Sequence, residues 1–274
     1  MKEMKLKADD IDTPVCVKDY LRQRGFSVTL IKRVKYGGIM LQGETVTVRA
    51  TVYPGDELTV SFPEETSLGI EPMSIPLRVI YEDECMLAVD KPTNMPTHPS
   101  RGNSLPTLAN AVMGMYGGDF VFRSVNRLDR DTSGIVLIAK DQMTANRLSA
   151  DMKAGRFGKK YVCRVDGIPT PAEGRIEAPI EREHEGSIKR AVTEGGKYAL
   201  TEYRVIEAYE GGALCEVILH TGRTHQIRVH MAHIGYPLRG DYLYGDKASG
   251  EYFLRCKELK LPHPYTGEEI ILKA

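Results

Sequence analysis

The sequence has no tryptophan, few aromatic residues and no excess of charge of either sign. Aromatic residues make up 7% of the 274 residues, and 37 lysines and arginines balance 37 aspartates and glutamates. A neutral chain gives no overall attraction to nucleic acid, so any such partner must be recognised through local groups of cations. With 42% hydrophobic and 27% charged residues, the composition is that of an ordinary globular protein, long enough for one large and one small domain.

Cysteines are few and far apart, at positions Cys16, Cys85, Cys163, Cys215 and Cys256. Their odd number and the lack of any C-x-x-C pair argue against a disulfide framework and a cysteine-based zinc site. We expect free, buried thiols in a reducing compartment. The first residues lack the apolar centre of a signal peptide, and no apolar run is long enough to cross a bilayer. We therefore expect a cytoplasmic protein without a membrane partner.

The most informative stretch, residues 126 to 139, reads Asn-Arg-Leu-Asp-Arg-Asp-Thr-Ser-Gly-Ile-Val-Leu-Ile-Ala. Its five apolar residues predict a buried strand. Asp129 and Asp131 lie just before that strand, where an ionised carboxylate is costly to bury unless it is paired. They either face solvent in a turn or are held by cations such as Arg127 and Arg130.

This string resembles the second motif of the RluA-type pseudouridine synthases, His-Arg-Leu-Asp-x-x-Thr-Ser-Gly. Asn126 stands where the motif has histidine, and the other fixed positions match. The resemblance implies that Asp129 is the catalytic residue of an enzyme that isomerises uridine to pseudouridine within RNA, without a cofactor or metal. It leaves open whether Asp129 attacks the sugar as a nucleophile or removes a sugar proton as a base.

Three further stretches resemble elements of the same family, so that the resemblance covers roughly residues 77 to 261. Residues 90 to 99, Asp-Lys-Pro-Thr-Asn-Met-Pro-Thr-His-Pro, resemble its first motif, with Asn94 in place of a glycine and Asp90 in place of an asparagine. Asparagine tolerates positive φ better than most residues, so the backbone conformation can survive. Residues 159 to 165 resemble its K-x-Y-x-x-x-V element, and residues 222 to 230 match its third motif, Gly-Arg-Thr-His-Gln-Ile-Arg-x-His.

The resemblance also implies roles for residues around Asp129. Arg228 would pair with Asp129 and keep it ionised, and Tyr161 would stack on the uracil. A uridine in structured RNA must be flipped out of its helix, and Arg127 is a candidate to fill the gap. Two simpler interpretations stay open: Tyr161 as a core tyrosine, and Arg127 in a salt bridge with Asp131.

The N-terminal part carries a local excess of cations. Residues 13 to 50 contain seven lysines and arginines against two acidic residues. The cations lie on two predicted short helices, which is typical either of a solvated helix face or of a phosphate-binding surface. With the following hairpin, these helices resemble the small αL RNA-binding fold of a small-subunit ribosomal protein. The candidate RNA-binding residues are Lys18, Arg22, Lys32 and Arg33 here, and Arg127, Arg223 and His225 in the motifs.

We expect an α+β chain with a mixed, largely antiparallel sheet and a central cleft. The predicted divisions are a small RNA-binding domain at residues 1 to 62, a proline-rich linker at 63 to 76 and a catalytic domain at 77 to 274. Residues 1 to 12 are expected to fray, followed by a helix capped by Thr13 with Pro14 in its first turn, a helix capped by Ser27, and strands at 39–41, 45–52 and 58–62 with a turn at Gln42-Gly43.

Further elements are predicted along the catalytic part. They are strands at 78–81 and 85–89, a helix at 104–116, a helix starting at Asp141, a strand at 159–165, a loop or hairpin excursion at 172–193, a hairpin at 199–219 with its turn at residues 210–212, a helix capped by Thr224 and ended by Gly235, and strands at 252–261 and 269–272.

Three other functions are compatible with parts of the sequence. Four histidines, His220, His225, His230 and His233, suggest a metal site, but no carboxylate lies among them, so helix capping or phosphate contact fits better. Asp129 and Asp131 suggest glycoside hydrolysis, although the chain lacks the tryptophans of a sugar cleft. A non-catalytic RNA-binding module would not need Asp129, Tyr161 and Arg228 together. Large-subunit ribosomal RNA is the expected partner of a monomeric enzyme, with transfer RNA as the alternative.

Overall fold

The structure is a computed structural model that describes residues 2–62, 69–100 and 106–274. The strands are β1 (Lys2–Lys7), β2 (Val15–Cys16), β3 (Ile39–Leu41), β4 (Glu44–Thr45), β5 (Thr51–Val52), β6 (Glu57–Phe62), β7 (Arg78–Glu82), β8 (Met86–Lys91), β9 (Ser133–Ala139), β10 (Gly158–Asp166), β11 (Glu173–Glu177), β12 (Ile180–Arg182), β13 (Arg190–Val192), β14 (Leu200–Tyr209), β15 (Gly212–Leu219), β16 (Leu254–Pro262) and β17 (Glu269–Lys273). The helices are α1 (Val17–Gln23), α2 (Val28–Val34), α3 (Leu108–Met115), α4 (Gln142–Lys153) and α5 (Gln226–His233).

The N-terminal strands form a sheet in the order β1-β6-β3-β4, beside the small β2-β5 pair. The expectation that residues 1 to 12 fray is wrong for residues 2 to 7, because β1 pairs along its whole length with β6; residue 1 lies outside the described part. Met4 and Leu6 pack against the buried side chains of this region, and that burial holds the strand in place.

The first helix begins later than expected, at Val17. Val15 and Cys16 are paired with β5, so Thr13 and Pro14 lie outside the helix. The first N–H groups of α1 donate instead to backbone carbonyls: Val17 N to Ala50 O at 2.9 Å, and Lys18 N to Val48 O at 3.0 Å. These carbonyls satisfy donors that a capping side chain would otherwise bind.

The same contacts explain why residues 45 to 52 are not one strand. The chain bends between β4 and β5 to bring those carbonyls to α1. Other local predictions in this region are confirmed. The Ser27 hydroxyl accepts the N–H of Leu30 at 3.1 Å and caps α2, and Gln42 and Gly43 form the predicted turn with φ of 50° and 87°.

The large sheet has nine strands in the order β11-β14-β15-β10-β16-β9-β8-β7, with β17 on β16. Only β16 and β9 run parallel among its described pairs. The predicted α+β fold with a mixed, largely antiparallel sheet is thus confirmed. All seven residues of β9 are buried, as the apolar run predicted, and α4 packs against this strand.

The segment before the large sheet contacts α3. Asn110 donates its amide N–H to Glu71 O at 2.7 Å, and Met73 N donates to Asn110 O at 3.0 Å. A Cβ on Gly114 would lie 2.0 Å from Met73 O, so glycine is needed for this close approach. Residues 69 to 76 therefore follow the helix instead of spanning open space, while the rest of the predicted linker, 63 to 68, lies outside the described residues.

Among the remaining elements, the helix after Asp141 and the hairpin of β14 and β15 are confirmed. The helix predicted at 104–116 begins only at Leu108, where Thr107 forms a capping box with Asn110; residues 104 and 105 lie outside the described part. The polar excursion at 172–193 contains β11, β12 and β13, whose residues are exposed or half-buried apart from Ile176 and Ile180. Exposed polar strands lack the apolar alternation from which strands are recognised.

Buried apolar side chains form one large cluster around the nine-stranded sheet and a separate cluster at residues 8 to 60. Met143 of α4 belongs to the N-terminal cluster, so the two parts of the chain are in contact there. None of the helices within the described ranges is long and apolar enough to cross a membrane.

Candidate active site

A buried lysine joins the two loops that follow β8 and precede β9. Lys91 is fully buried, and its Nζ donates to Pro92 O at 2.8 Å, Met95 O at 2.7 Å and Arg130 O at 3.1 Å. Three donors thus meet three carbonyls, as an ammonium group requires. Burial lowers the pKa of Lys91 to about 8, while Asp131 and Asp129 act in the opposite direction.

Thr97 adds a second link between the same loops. Its hydroxyl donates to Leu128 O at 2.8 Å and accepts Leu128 N at 3.3 Å. Asn94 has a φ of 56°, so the expectation that this residue replaces glycine in the left-handed region is confirmed. Because Leu128 and Arg130 are both fixed, the backbone of Asp129 between them has little freedom.

Asn126, which departs from the family motif, binds β9 through both ends of its side-chain amide. Its Nδ2 donates to Ile135 O at 2.9 Å, and its Oδ1 accepts Leu137 N at 2.8 Å. A primary amide offers a donor and an acceptor side by side, so it pairs with a strand as a peptide group does. The side chain thereby fixes the start of the Asp129 loop to the central sheet.

Asp129 projects into the cleft with its side chain 35% exposed. Its Oδ2 lies 3.9 Å from Arg228 Nη1 and 3.8 Å from His225 Nε2. The predicted approach of Arg228 to Asp129 is therefore present, but Asp129 is not the main partner of the arginine.

Arg228 forms its short contacts with Asp241. Nε and Nη2 donate to the two carboxylate oxygens at 2.7 and 2.6 Å, and the side chains are 4% and 0% exposed. Burial alone would lower the pKa of Arg228, but the salt bridge outweighs it and raises that pKa. Sequence reasoning missed the role of Asp241; the only signal was its place in Arg239-Gly240-Asp241, just after the third motif.

Three tyrosine rings surround the Arg228 guanidinium, with centroids 5.4 Å (Tyr242), 5.0 Å (Tyr244) and 5.6 Å (Tyr252) away. Arg228 is thus held by Asp241 and by aromatic faces, and it directs only Nη1 toward Asp129. This arrangement places a permanent positive charge beside the candidate catalytic carboxylate and leaves that carboxylate accessible from the cleft.

Tyr161 lies on β10 at a shift in its register with β16 and is 7% exposed. It lines the same cleft as Asp129. Burial, and then the neighbouring Cys256, raise the pKa of the Tyr161 phenol, so this hydroxyl is neutral at physiological pH.

The cleft consists of two adjoining cavities of about 610 and 70 Å³. Arg127, Asp129, Tyr161 and Arg223 line both of them. Asp131 forms a bidentate salt bridge with Arg130, with both distances 2.9 Å. The alternative salt bridge between Arg127 and Asp131 is therefore wrong, and the exposed Arg127 side chain faces the cleft.

The helix after the third motif is not capped by Thr224. His225 occupies the N-cap position with φ of 58°, and α5 begins at Gln226. The Gln226 side chain organises this turn instead, because its Oε1 accepts the Thr221 hydroxyl at 2.8 Å and Arg223 N at 2.9 Å. The helix ends before Gly235, whose φ of 87° confirms the predicted stop.

The candidate RNA-binding residues of the N-terminal part lie outside this cleft. Lys18 and Arg22 are exposed on α1, and Lys32 and Arg33 are exposed on α2. Arg33 also lines a separate cavity of about 510 Å³ with Arg123 and residues of β6 and α4. The structure thus groups Arg127, Arg223 and His225 around Asp129 but not the four basic helix residues.

The four histidines near the third motif do not converge. His230 uses both ring nitrogens, toward Thr201 Oγ1 at 2.8 Å and Ala178 O at 2.9 Å, and His220 approaches Glu202. A compact histidine, cysteine and carboxylate group occurs within the described ranges only at Asp83, Cys85 and His263.

Hydrogen bonds already occupy both ring nitrogens of His263. Nδ1 accepts the N–H groups of Tyr265 and Thr266 at 3.3 and 3.1 Å, and Nε2 lies 3.2 Å from Asp83 Oδ2. Because Nδ1 is an acceptor, Nε2 carries the proton toward Asp83. This group ties the loop between β16 and β17 to the turn before β8.

Comparison with known proteins identifies the class. The family model described as RNA pseudouridylate synthase matches residues 86–233, more than half of the chain. The structure of human RNA pseudouridylate synthase domain containing 1 superposes with a TM-score of 0.63 and 26% identity, covering 74% of this chain and 85% of that one. The chain belongs to the RNA pseudouridylate synthase family and is an RNA pseudouridine synthase, as the motifs predicted.

Among individual relatives, the RNA pseudouridine synthase YjbO of Bacillus subtilis is 39% identical over 264 residues, 93% of each chain. The ribosomal large subunit pseudouridine synthase D of Pseudomonas aeruginosa is 38% identical over 254 residues, 85% of this chain and 79% of that protein. Both alignments are longer than the stretch from residue 77 to residue 274, so they extend into the N-terminal part of the chain.

Proposed function

We propose that this enzyme converts specific uridines of large-subunit ribosomal RNA to pseudouridine, with Asp129 as the catalytic residue. The observation that carries this proposal is the placement of Asp129: a partly exposed carboxylate, fixed in its backbone, beside Arg228 and Tyr161 in an open cleft. The relative named ribosomal large subunit pseudouridine synthase D supports the choice of RNA.

The chemistry exchanges one glycosidic bond for another within a single nucleotide. The bond from C1′ to N1 of uracil breaks, the base turns, and a bond from C1′ to C5 forms. The proton on C5 leaves to solvent and N1 gains one, so no group is imported and no cofactor is needed. Asp129 assists detachment of the base, either by attacking C1′ or by removing a proton from the sugar.

The neighbouring side chains suit this reaction. Arg228 is cationic at all physiological pH values and places a positive charge 3.9 Å from Oδ2 of Asp129. Tyr161, neutral and largely buried, offers its ring for stacking on the uracil. Flipping the uridine out of an RNA helix costs a few kcal/mol. Arg127 extends from the same loop as Asp129 into the cleft, where it can fill the gap that the flipped nucleotide leaves in the RNA.

RNA binding would be shared between the cleft and the N-terminal part. Arg223 and His225 border Asp129, and Lys18, Arg22, Lys32 and Arg33 are exposed on α1 and α2, outside the cleft. We propose that residues 1 to 62 form an RNA-binding domain, that the catalytic domain is 77 to 274, and that the protein acts as a cytoplasmic monomer.

The test uses transcripts of large-subunit ribosomal RNA and of transfer RNAs labelled with tritium at C5 of uridine. The wild-type protein should release tritium from the ribosomal transcript, and Asp129→Asn should release none while binding that RNA with nearly unchanged affinity. Release from transfer RNA alone would contradict the choice of substrate. An active Asp129→Asn protein beside an inactive Asp131→Asn protein would overturn the catalytic assignment.

A further inference from the structure

We propose that His225 is a positioning residue that holds Oδ2 of Asp129 through its Nε2–H group, and that a hydrogen bond from Tyr244 fixes it in this tautomer. The proposal rests on the proposed catalytic role of Asp129. It assigns to His225 a function in orienting the carboxylate, in addition to its place in the RNA-binding cleft.

The first constraint comes from Tyr244. Its hydroxyl oxygen lies 2.7 Å from His225 Nδ1 and accepts the backbone N–H of Arg190 at 2.8 Å. A phenol has one proton to donate. His225 Nδ1 is the one acceptor within hydrogen-bond distance of this hydroxyl among the described residues, so the phenol proton is directed to Nδ1, which therefore acts as an acceptor.

The second constraint comes from the opposite side of the ring. His225 Nε2 lies 3.8 Å from Asp129 Oδ2. This separation is longer than a hydrogen bond, but contacts between catalytic groups often shorten only when the substrate binds. An ionised carboxylate can only accept hydrogen bonds, so closure of this contact requires the proton on Nε2. Two independent neighbours thus specify the same neutral tautomer, with the proton on Nε2 and the lone pair on Nδ1.

The backbone at His225 is adapted to this orientation. The residue has φ of 58° and ψ of 20°, in the left-handed region that a residue with a Cβ seldom occupies. The side chain is 13% exposed, and its ring stands at 77° to the ring of Tyr244. Left-handed geometry in a non-glycine residue at the edge of a cleft is typical of a functional constraint.

Four charged groups act on the pKa of His225. Asp129 and Asp241 raise it by favouring the imidazolium, whereas Arg228 and Arg190 lower it. Burial has the largest effect and lowers the pKa of His225. The ring is therefore neutral at pH 7, and it offers an N–H to Asp129 without adding a second full positive charge beside Arg228.

Both neighbours of Asp129 approach the same oxygen. Arg228 Nη1 and His225 Nε2 lie 3.9 and 3.8 Å from Oδ2, and neither carboxylate oxygen has a closer hydrogen-bond partner among the residues that the structure describes. The inference is that Oδ2 is the held oxygen and Oδ1 the reacting one. Arg190 lies on β13, so the polar excursion after β11 contributes to the site through its contact with Tyr244.

The experiment compares four variants in single-turnover tritium release from the ribosomal transcript. His225→Asn places its amide near the position of Nδ1 and cannot reach Asp129, whereas His225→Gln places an N–H near the position of Nε2. We expect a loss of about a hundredfold for His225→Asn and about fivefold for His225→Gln, within the range for loss of one hydrogen-bond donor at a reacting group.

Tyr244→Phe should lower the rate about tenfold at pH 8, because the ring can then carry its proton on Nδ1 and turn a lone pair toward Asp129. Removing the donor to Nδ1 also raises the pKa of His225. The imidazolium carries a proton on Nε2 again, so the loss of rate in Tyr244→Phe should shrink as the pH falls through that pKa. Tyr209→Phe is the control, since the buried Tyr209 hydroxyl has no hydrogen-bond partner among described residues.

The tautomer itself is read from long-range proton–nitrogen correlation spectra of the wild-type protein, with the His225 signals assigned by their loss in His225→Gln. Protonation on Nε2 at pH 7 supports the proposal, and protonation on Nδ1 overturns it. Wild-type rates and pH profiles for His225→Asn and Tyr244→Phe would also overturn it. A wild-type protein that is inactive on every RNA, yet shows the Nε2–H tautomer, would refute the proposed function and leave the hydrogen-bond assignment standing.

Discussion

Arg228 is bound on two of its nitrogens by Asp241 at 2.7 and 2.6 Å, and it reaches Asp129 with a third nitrogen at 3.9 Å. The two carboxylates therefore differ in their tasks. Asp241 is fully buried and anchors the cation, whereas the side chain of Asp129 is partly exposed and lines the cleft. Because Arg228 is bound mainly by Asp241, it places a positive charge near Asp129 without a short contact to that carboxylate.

Loss of the Asp241 charge should destabilise the protein. In Asp241→Asn the buried Arg228 keeps its charge but loses its partner, which costs about 3–5 kcal/mol of unfolding free energy. Urea denaturation monitored by circular dichroism measures the change. The matched control is Asp131→Asn, which breaks the more exposed bidentate pair with Arg130 and should cost less than about 1 kcal/mol. Equal losses in the two variants would contradict the buried anchor.

Asn126→Asp should destabilise the protein in a pH-dependent way. Aspartate can still accept the N–H of Leu137, but when ionised it cannot donate to Ile135 O. The buried carbonyl of Ile135 then lacks a donor, which costs about 1–3 kcal/mol of unfolding free energy. Burial should raise the pKa of this new carboxyl group above its unfolded value, so the folded state holds its proton longer. The unfolding free energy relative to wild type should therefore fall as the pH rises from 5 to 8.

Urea midpoints at the two pH values measure the effect of Asn126→Asp. Asn94→Asp serves as its control, because Asn94 is exposed and aspartate also tolerates positive φ. A pH-independent difference between Asn126→Asp and wild type would show that the amide donor to β9 does not contribute to stability.

Lys91→Met should lower the unfolding free energy at pH 7 by about 1–3 kcal/mol, because carbonyls of both loops lose a donor. The pKa of Lys91 is lowered from 10.5 to about 8 in the folded state. Between these values the unfolded chain binds more protons, so the stability of wild type relative to Lys91→Met should rise as pH increases through this range. Urea denaturation of both proteins at pH 7.5, 9 and 10 measures the difference in their unfolding free energies. A difference that falls as the pH rises would contradict the prediction.

Replacing Lys18 and Lys32 together by glutamine should weaken RNA binding and reduce the dependence of affinity on salt. If each lysine contacts a phosphate, the slope of log K against log salt should fall in magnitude by about 1.4–1.8. Filter binding of the ribosomal transcript at several salt concentrations measures it. The control replaces Lys257 and Lys273, exposed on β16 and β17, and an equal change in both double variants would show that the basic helices have no special role.

Local patterns in the sequence correctly predicted many of the helices, strands and turns. The apolar run before Lys140 predicted β9, Ser27 and Asp141 predicted the starts of α2 and α4, and the glycine pair after Glu210 predicted the hairpin turn. These features depend on neighbours within a few positions, which is why they can be recognised without a structure. The catalytic motifs likewise identified the family before any contact was known.

What the sequence alone determined is the class of chemistry, the candidate catalytic carboxylate Asp129 and the mixed α+β sheet. Tertiary structure decided which charges pair. Arg228 lies closer to Asp241 than to Asp129, and Tyr244 meets His225 only because α5 packs against the loop that follows it. Likewise, β1 forms because β6 returns from more than fifty residues away. Such pairings depend on burial and on the distance between groups in space, and neither can be read from the spacing of residues along the sequence.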